Sequence, residues 1–198
     1  MACTQTLKGI ILDCETSVGG IKEVYIAHYE DVKGVTVGST IKLDSNPEAE
    51  PVTVDSNPEA EPVTLPGDMI TAIDAAGKFE RYQFRKQTGS MTSTLNVDEV
   101  AGINYVSTEL SLVFTKMETK KRVEIAALAV GQLAVIVKDG NNKFWFLGFD
   151  DYVSSTAGSG NTGTAKGDSN NYSITLKDES DSYPYEVHPS IIEALIAK

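Results

Sequence analysis

Apolar and polar positions alternate in part through Ile21–Tyr29 (IKEVYIAHY), where β-branched and aromatic residues concentrate, and this predicts a strand. Gly34–Leu43 (GVTVGSTIKL) reads as a second strand with a glycine interruption, and Asp68–Asp74 (DMITAID) as a short third. In Phe79–Gln87 (FERYQFRKQ) the alternation sets Phe79, Arg81, Gln83 and Arg85 on one face. SMTSTLNVD and GINYVSTELSLVFTK continue the β pattern to Lys116. The period then changes. Within Met117–Gln132, Val123, Ala126, Ala127 and Val130 fall at i, i+3, i+4 and i+7, predicting an amphipathic helix that ends at Gly131. LAVIVKDGNNKFWFLGF is a hairpin pattern: an apolar run, a turn at Asp139-Gly140-Asn141-Asn142, then an aromatic run around Trp145. DSNNYSITLKD predicts another strand, and HPSIIEALIAK a short C-terminal helix with Ser190 near its start. Many strands with only two helices point to an antiparallel β-sandwich or barrel with a packed helix. Strands do not alternate with helices, which argues against a parallel βαβ sheet.

One segment breaks the pattern. The phrase from Leu43 to Thr53 is repeated from Val54 to Thr64 with only its first residue changed. Pro47, Pro51, Pro58 and Pro62 oppose helix and central strand, because proline lacks an N–H and fixes φ. The phrase carries Asp44, Glu48, Glu50, Asp55, Glu59 and Glu61 with no cation. Two copies, with Val52 and Val63 as their only interior apolar anchors, do not make a stacked repeat array. The chain therefore reads as a single domain over residues 1–198 with an inserted acidic, proline-rich loop over 44–67.

Composition sharpens this picture. The 198 residues are 41% hydrophobic and 23% charged, which suits a cored globular chain. The net charge is −11, and those six carboxylates are more than half of it. A free-standing nucleic-acid binder needs a cationic footprint, so this balance excludes that class and favours repulsion from DNA and anionic membranes. No apolar run reaches the roughly 18 residues of a membrane span, and the first residues lack the pattern of a signal peptide, so the expectation is use without export. Cys3 and Cys14 form no zinc-like pair; they read as two free thiols, with a disulfide as the alternative.

Candidate chemistry is sparse. Gly158–Gly163 (GSGNTG) matches the letters of a dinucleotide cradle, but a turn and a strand follow it where a helix is required. It reads as a flexible loop. Lys166 lacks P-loop context, and DGNNKF lacks the ligand spacing of a calcium loop. His28 and His188 are the only histidines, and neither stands in a triad pattern. The sequence thus predicts no catalytic residue, no metal ligand and no cofactor, and a protein that is not an enzyme.

The runs YQFRKQTGSMTSTL, YVSTELSLVFTKMETKKRVEIAALAVGQLAVIVKDGNNKFWFLGFDD and GNTGTAKGDSNNYSITLKDESDSYPYEV stand in this order over the C-terminal two-thirds. They resemble the ring and tail-tube structural proteins of tailed phages of Bacteroidetes, including the crAss-like phages; GTAKGDSNNYSITL and PYEV are the most specific stretches. The resemblance implies a tail-tube type of β-sandwich or barrel, with one flanking helix, whose copies join side by side into a closed ring. It implies a virion protein of the tail or neck, assembled in the host cytoplasm, that partners itself and adjacent neck or tail proteins. DNA would pass through the lumen without specific binding, and no membrane is involved. Tube, neck-ring and tail-completion subunits all fit.

On that reading three regions are the expected oligomer contacts. They are the acidic loop (Pro47, Glu48, Glu50, Pro58, Glu59, Glu61), the glycine-rich run (Gly158, Gly160, Gly163), and the C-terminal helix (Ile191, Ile192, Leu195, with Ile196). The helix has a second reading, as a cap on its own sandwich. The alternative function is a non-catalytic β-sandwich module binding carbohydrate or a surface receptor, with KFWFLGFDDY as its aromatic platform. A hydrolytic virion enzyme is the third class, and the scarcity of histidine argues against it.

Overall fold

The computed structural model describes residues 17–42 and 62–197. They form two sheets and two helices. In chain order the elements are β1 (Ile21–His28), β2 (Val32–Lys42), β3 (Pro62–Ala75), β4 (Glu80–Gln83), β5 (Gly89–Asp98) and β6 (Ile103–Thr115). Then come α1 (Thr119–Val130), β7 (Leu133–Asp139), β8 (Phe144–Leu147), β9 (Ser154–Asn161), β10 (Asn171–Ser180), β11 (Tyr185–Val187) and α2 (Ser190–Ala197). The larger sheet has seven strands in the order β2-β3-β11-β8-β7-β1-β4, and the smaller has four in the order β5-β6-β10-β9.

The sequence of β7 explains the layering. Its run LAVIV is buried at every position, because the strand has a packed layer on each side. Leu133, Val135 and Val137 face the small sheet, meeting Leu110 and Leu112 of β6 and Ile174 and Leu176 of β10. Ala134 and Ile136 face the other way, onto a core shared with Ile70, Phe146, Val187 and the apolar side of α2. The order through the molecule is small sheet, large sheet, α2. The small sheet keeps its other face for solvent, so β6 and β10 alternate cleanly: Val106, Thr108, Leu110, Leu112 and Phe114 point in, while Glu109 points out.

Several expectations change. The larger sheet is mixed, since β11 pairs parallel to β3 at Val187↔Ile70 while the other pairings are antiparallel. The predicted loop over 44–67 is shorter at its C-terminal end: Pro62 opens β3 and pairs with Lys42, a position where proline is tolerated because it starts the strand. Residues 43–61 thus connect two antiparallel strands, and most of the duplicated phrase lies outside the described residues, as do Cys3 and Cys14. Only Glu80–Gln83 of the Phe79–Gln87 run pairs as a strand.

The expected apolar stripe of α1 faces outward. Val123 is 53% exposed and Val130 89% exposed, whereas Leu128 is buried and Ile125 packs beside it. The helix carries apolar residues around most of its circumference, and its orientation is set at its ends. Lys121 Nζ turns back to the carbonyls of Thr115 and Lys116, and Leu128 fills the gap between the sheets. The helix does end at Gly131, with an N–H bond to the Ala127 carbonyl, but in an extended conformation (φ −74°). Space there is tight: a Cβ would lie 3.0 Å from Leu133 Cδ2 and 3.2 Å from the Ala127 oxygen.

Candidate assembly surface

The small sheet ends in two edge strands, β5 and β9, whose outer sides have no strand partner among the described residues. Edge strands are usually guarded against pairing with another chain by charge, proline, brevity or bulges. The large sheet follows that rule. Its edge β4 has only four residues and carries Glu80 and Arg81; its edge β2 carries Lys33 and Lys42 and breaks register three times against β3. The small sheet is guarded far less. β9 (SSTAGSGN) has no charge and no proline, and its one irregularity is a register shift opposite Thr175/Leu176. β5 (GSMTSTLNVD) is uncharged until Asp98.

The register shows how the four strands are placed. Projected onto β6, which spans 103–115, β5 pairs with 103–112, β10 with 106–115, and β9, through β10, lies level with 109–115. The midpoints step in one direction, by about one and a half residues per strand. At about 3.3 Å per residue and about 4.8 Å between strands, that stagger corresponds to a tilt near 45°. Closed barrels tilt their strands by roughly 35–45°. Four alternating strands also leave β9 running opposite to β5.

The exposed face of this sheet is short and polar, presenting Thr92, Thr94, Ser111, Ser173 and Thr175, with Ser159 and Ser173 sharing a 2.8 Å hydrogen bond. The one cation in its four strands, Lys177, is paired with Glu179 at 2.7 Å. Beyond the packed region the β5–β6 hairpin runs on alone. Leu95 is 47% exposed, Val97 61% and Val100 99%. Its tip is nonetheless ordered by chemistry: the Asp98 carboxylate accepts from the N–H groups of Val100 (2.9 Å) and Ala101 (3.1 Å), and Gly102 supplies the φ of +68° that closes the turn.

The glycine-rich run has a different role from the expected loop. Gly158 and Gly160 lie within β9 on its inward face, where a Cβ on Gly160 would stand 3.1 Å from the Tyr172 ring and 3.2 Å from Met117 Cε. Met117, just before α1, and Tyr172 crowd the strand at Gly160, whereas a Cβ on Gly158 would meet only the Ser173 carbonyl oxygen, at 3.5 Å. Gly163 sits in the following turn at φ +71°, against Asp168. That carboxylate accepts from the N–H groups of Ala165 and Thr164 at 2.7 Å each, which holds it below the usual carboxylate range. A turn and β10 follow, and no helix opens there. Ile191, Ile192 and Leu195 are buried against the chain's own large sheet, the placement of a cap; Glu193 and Ala197 of α2 face outward. His188 Nδ1 lies 2.7 Å from the Ser190 hydroxyl and accepts from its N–H, at the start of that helix; burial lowers the imidazole's basicity, partly offset by Glu186. Pro47, Glu48, Glu50, Pro58, Glu59 and Glu61 lie outside the described residues.

The aromatic run 143–152 does not form an open platform. Phe144, Phe146 and Leu147 are core, Trp145 is half-buried with its indole N–H on Asp139, and Phe149 packs on Tyr185. A cleft of about 160 Å³ between α1 and the C-terminal end of β1 holds His28, Asp31, Lys78, Glu80 and Glu124, with no Ser, Thr or Cys in its lining. Lys78 is paired with Glu80, and Glu124 accepts from the Tyr82 hydroxyl. Among the described residues no group of His, Cys, Asp and Glu is placed to hold a metal, and no helix is long and apolar enough to cross a membrane. Compared with known proteins, the chain matches no family model, no curated protein and no solved structure.

The sequence pattern does not reveal β9, β11 or the apolar hairpin tip. The tip had a signal, in NVDEVAGI, where Val97, Val100 and Ile103 recur across a turn that has nothing to bury them.

Proposed function

We propose that this chain is a structural subunit of a tailed-phage virion, which joins side by side with its own copies into a closed ring or tube around the DNA channel of the tail or neck. The observation that carries this reading is the small sheet, whose two weakly guarded edges lie at opposite ends of a set of strands already staggered at a barrel-like tilt. Because β9 and β5 run in opposite directions, a rotation that brings β9 of one copy beside β5 of the next makes an antiparallel junction. Such head-to-tail contacts close into rings when the rotation divides the circle. The resemblance of the C-terminal two-thirds to ring and tail-tube proteins supports the same assignment.

A continuous sheet of this kind would turn its hydroxyl-bearing face to the lumen. DNA phosphates would meet Thr92, Ser111 and Thr175 there, and a lysine already neutralised by Glu179. With a chain charge of −11, counterion release would give DNA nothing to bind. Native mass spectrometry of the full chain over rising concentration, with negative-stain images of the same samples, tests the reading. Closed rings or stacked tubes with an open lumen are expected; a monomer at every concentration, or open filaments of indefinite length, would overturn it.

A further inference from the structure

We infer that the tip of the β5–β6 hairpin, through Leu95, Val97 and Val100, docks on the C-terminal turn of α1 in the neighbouring copy, around Val130. This rests on the ring reading and names the partner surface within it. Val100 and Val130 are the most exposed large apolar side chains among the described residues, at 99% and 89%, and they sit at opposite edges of the small sheet. The hairpin turn belongs to the β5 edge. α1 belongs to the β9 edge, where Met117 at its start lies against Gly160, and Leu133 just past its end exchanges backbone hydrogen bonds with Val153, the residue before β9. A head-to-tail junction therefore brings one tip and one α1 together at every interface.

The stagger sets the height. Extending it by one more strand places the neighbour's β9 level with about 103–109 of β6, so that its Ser154 end, and the α1 terminus beside it, stand next to the Asp98–Ile103 turn. The side also matches. Leu95 and Val97 lie on the same face of β5 as Met91, which packs on the core between the sheets, and α1 covers that same face of β9. Area supplies the need: stable specific interfaces take roughly 20–30 residues a side, whereas the two edge strands offer ten and eight. The tip is already held by the Asp98 turn, so docking it orders little further chain.

Two cysteine variants of the full chain, Val97→Cys and Val130→Cys, each in a Cys3→Ser, Cys14→Ser background, test this with a short bis-maleimide. Mixed one to one and allowed to assemble, they are expected to give at least about tenfold more cross-linked dimer than either alone, since thiols held at one interface react at a high effective concentration. Native mass spectrometry of the same samples separates the outcomes. Rings without cross-linking above the single-variant controls would overturn the docking and leave the ring reading standing. Rings in which Val97→Cys links to itself would likewise overturn it, because the contact would then join like surfaces. Neither rings nor cross-links would sink both.

Discussion

Two carboxylates in this molecule have opposite relations to pH, and each has a visible cause. Asp178 is buried between the sheets, where it accepts from the Gly148 N–H (3.0 Å) and the Ser180 hydroxyl (2.8 Å). Burial raises its pKa despite those bonds, and nearby Asp150 and Asp151 add to the rise. A carboxylate with a raised folded-state pKa supports the fold fully while protonated, below its unfolded pKa, and that support is lost as pH rises through the folded value. Asp178→Asn keeps an acceptor for Gly148 and supplies a donor to Ser180, so a stability gain on the order of 1 kcal/mol is expected at pH 7 by urea unfolding. Asp178→Leu strands both partners and should instead cost roughly 1–3 kcal/mol. Glu23 runs the other way. Burial opposes its ionisation, yet bonds from the Arg81 guanidinium, the Tyr25 hydroxyl and Gln83 outweigh that and hold its pKa at about 2, below the ordinary 4.5. Its contribution is present above the unfolded pKa and fades as pH falls from the ordinary value toward about 2. Unfolding midpoints measured down that range should fall less steeply for Glu23→Gln than for the unaltered chain. An equal slope would show that the Arg81 pair adds nothing. Neither role was legible in the sequence, because Asp178 and Glu23 look like any other strand carboxylate until Gly148 and Arg81 are folded beside them.

At the scale of elements, what the sequence revealed depended on how each element is held. β7 and β8 were plain in LAVIVKDGNNKFWFL because burial on both faces demands an unbroken apolar run. β9 was hidden for the converse reason. This edge strand lies under Met117 at Gly160 and is held by backbone pairing to β10, and SSTAGSGN carries no alternation to read. The parallel step from β11 to β3 is invisible because three residues, Tyr185–Val187, leave no period. The helical period of α1 is legible, but its valine stripe points away from the core, since alanines surround the helix and Leu128, with Ile125 beside it, makes the core contact. That difference is measurable. Leu128→Ala should destabilise the monomer by about 2–4 kcal/mol through a cavity, while Val123→Lys and Val130→Lys should each change it by less than about 0.5 kcal/mol. Large losses from the valine variants would return the helix to its sequence-predicted orientation. For the turn between β9 and β10, Gly163→Val should cost about 1–3 kcal/mol, because the position has φ +71° and an added Cβ would press on Asp168.

For the whole molecule, the duplicated phrase is a connection that can be shortened. Residues 43–61 join strands that meet at Lys42↔Pro62, and removing the copy Leu43–Thr53 leaves that pair and every described core residue in the chain. The change in closure entropy is under about 1 kcal/mol, and circular dichroism and thermal midpoint of the monomer should stay nearly the same. Unfolding of that deletion variant would show that the segment belongs to the fold. The candidate site was legible only in outline: an acidic chain without catalytic spacing, rich in strands, with open edges to use. Which edges, and the hairpin tip beside them, required the register of four strands from distant parts of the chain. In the proposed ring, β5 of one copy joins β9 of the next. Hydrogen–deuterium exchange of dilute and assembled chain tests it most directly, because strand pairing protects amides that an open edge leaves to solvent. Protection gained together in Gly89–Asp98 and Ser154–Asn161, with Val32–Lys42 and Glu80–Gln83 unchanged, is the predicted result. Protection gained at β2 or β4 with none at β5 and β9 would contradict it.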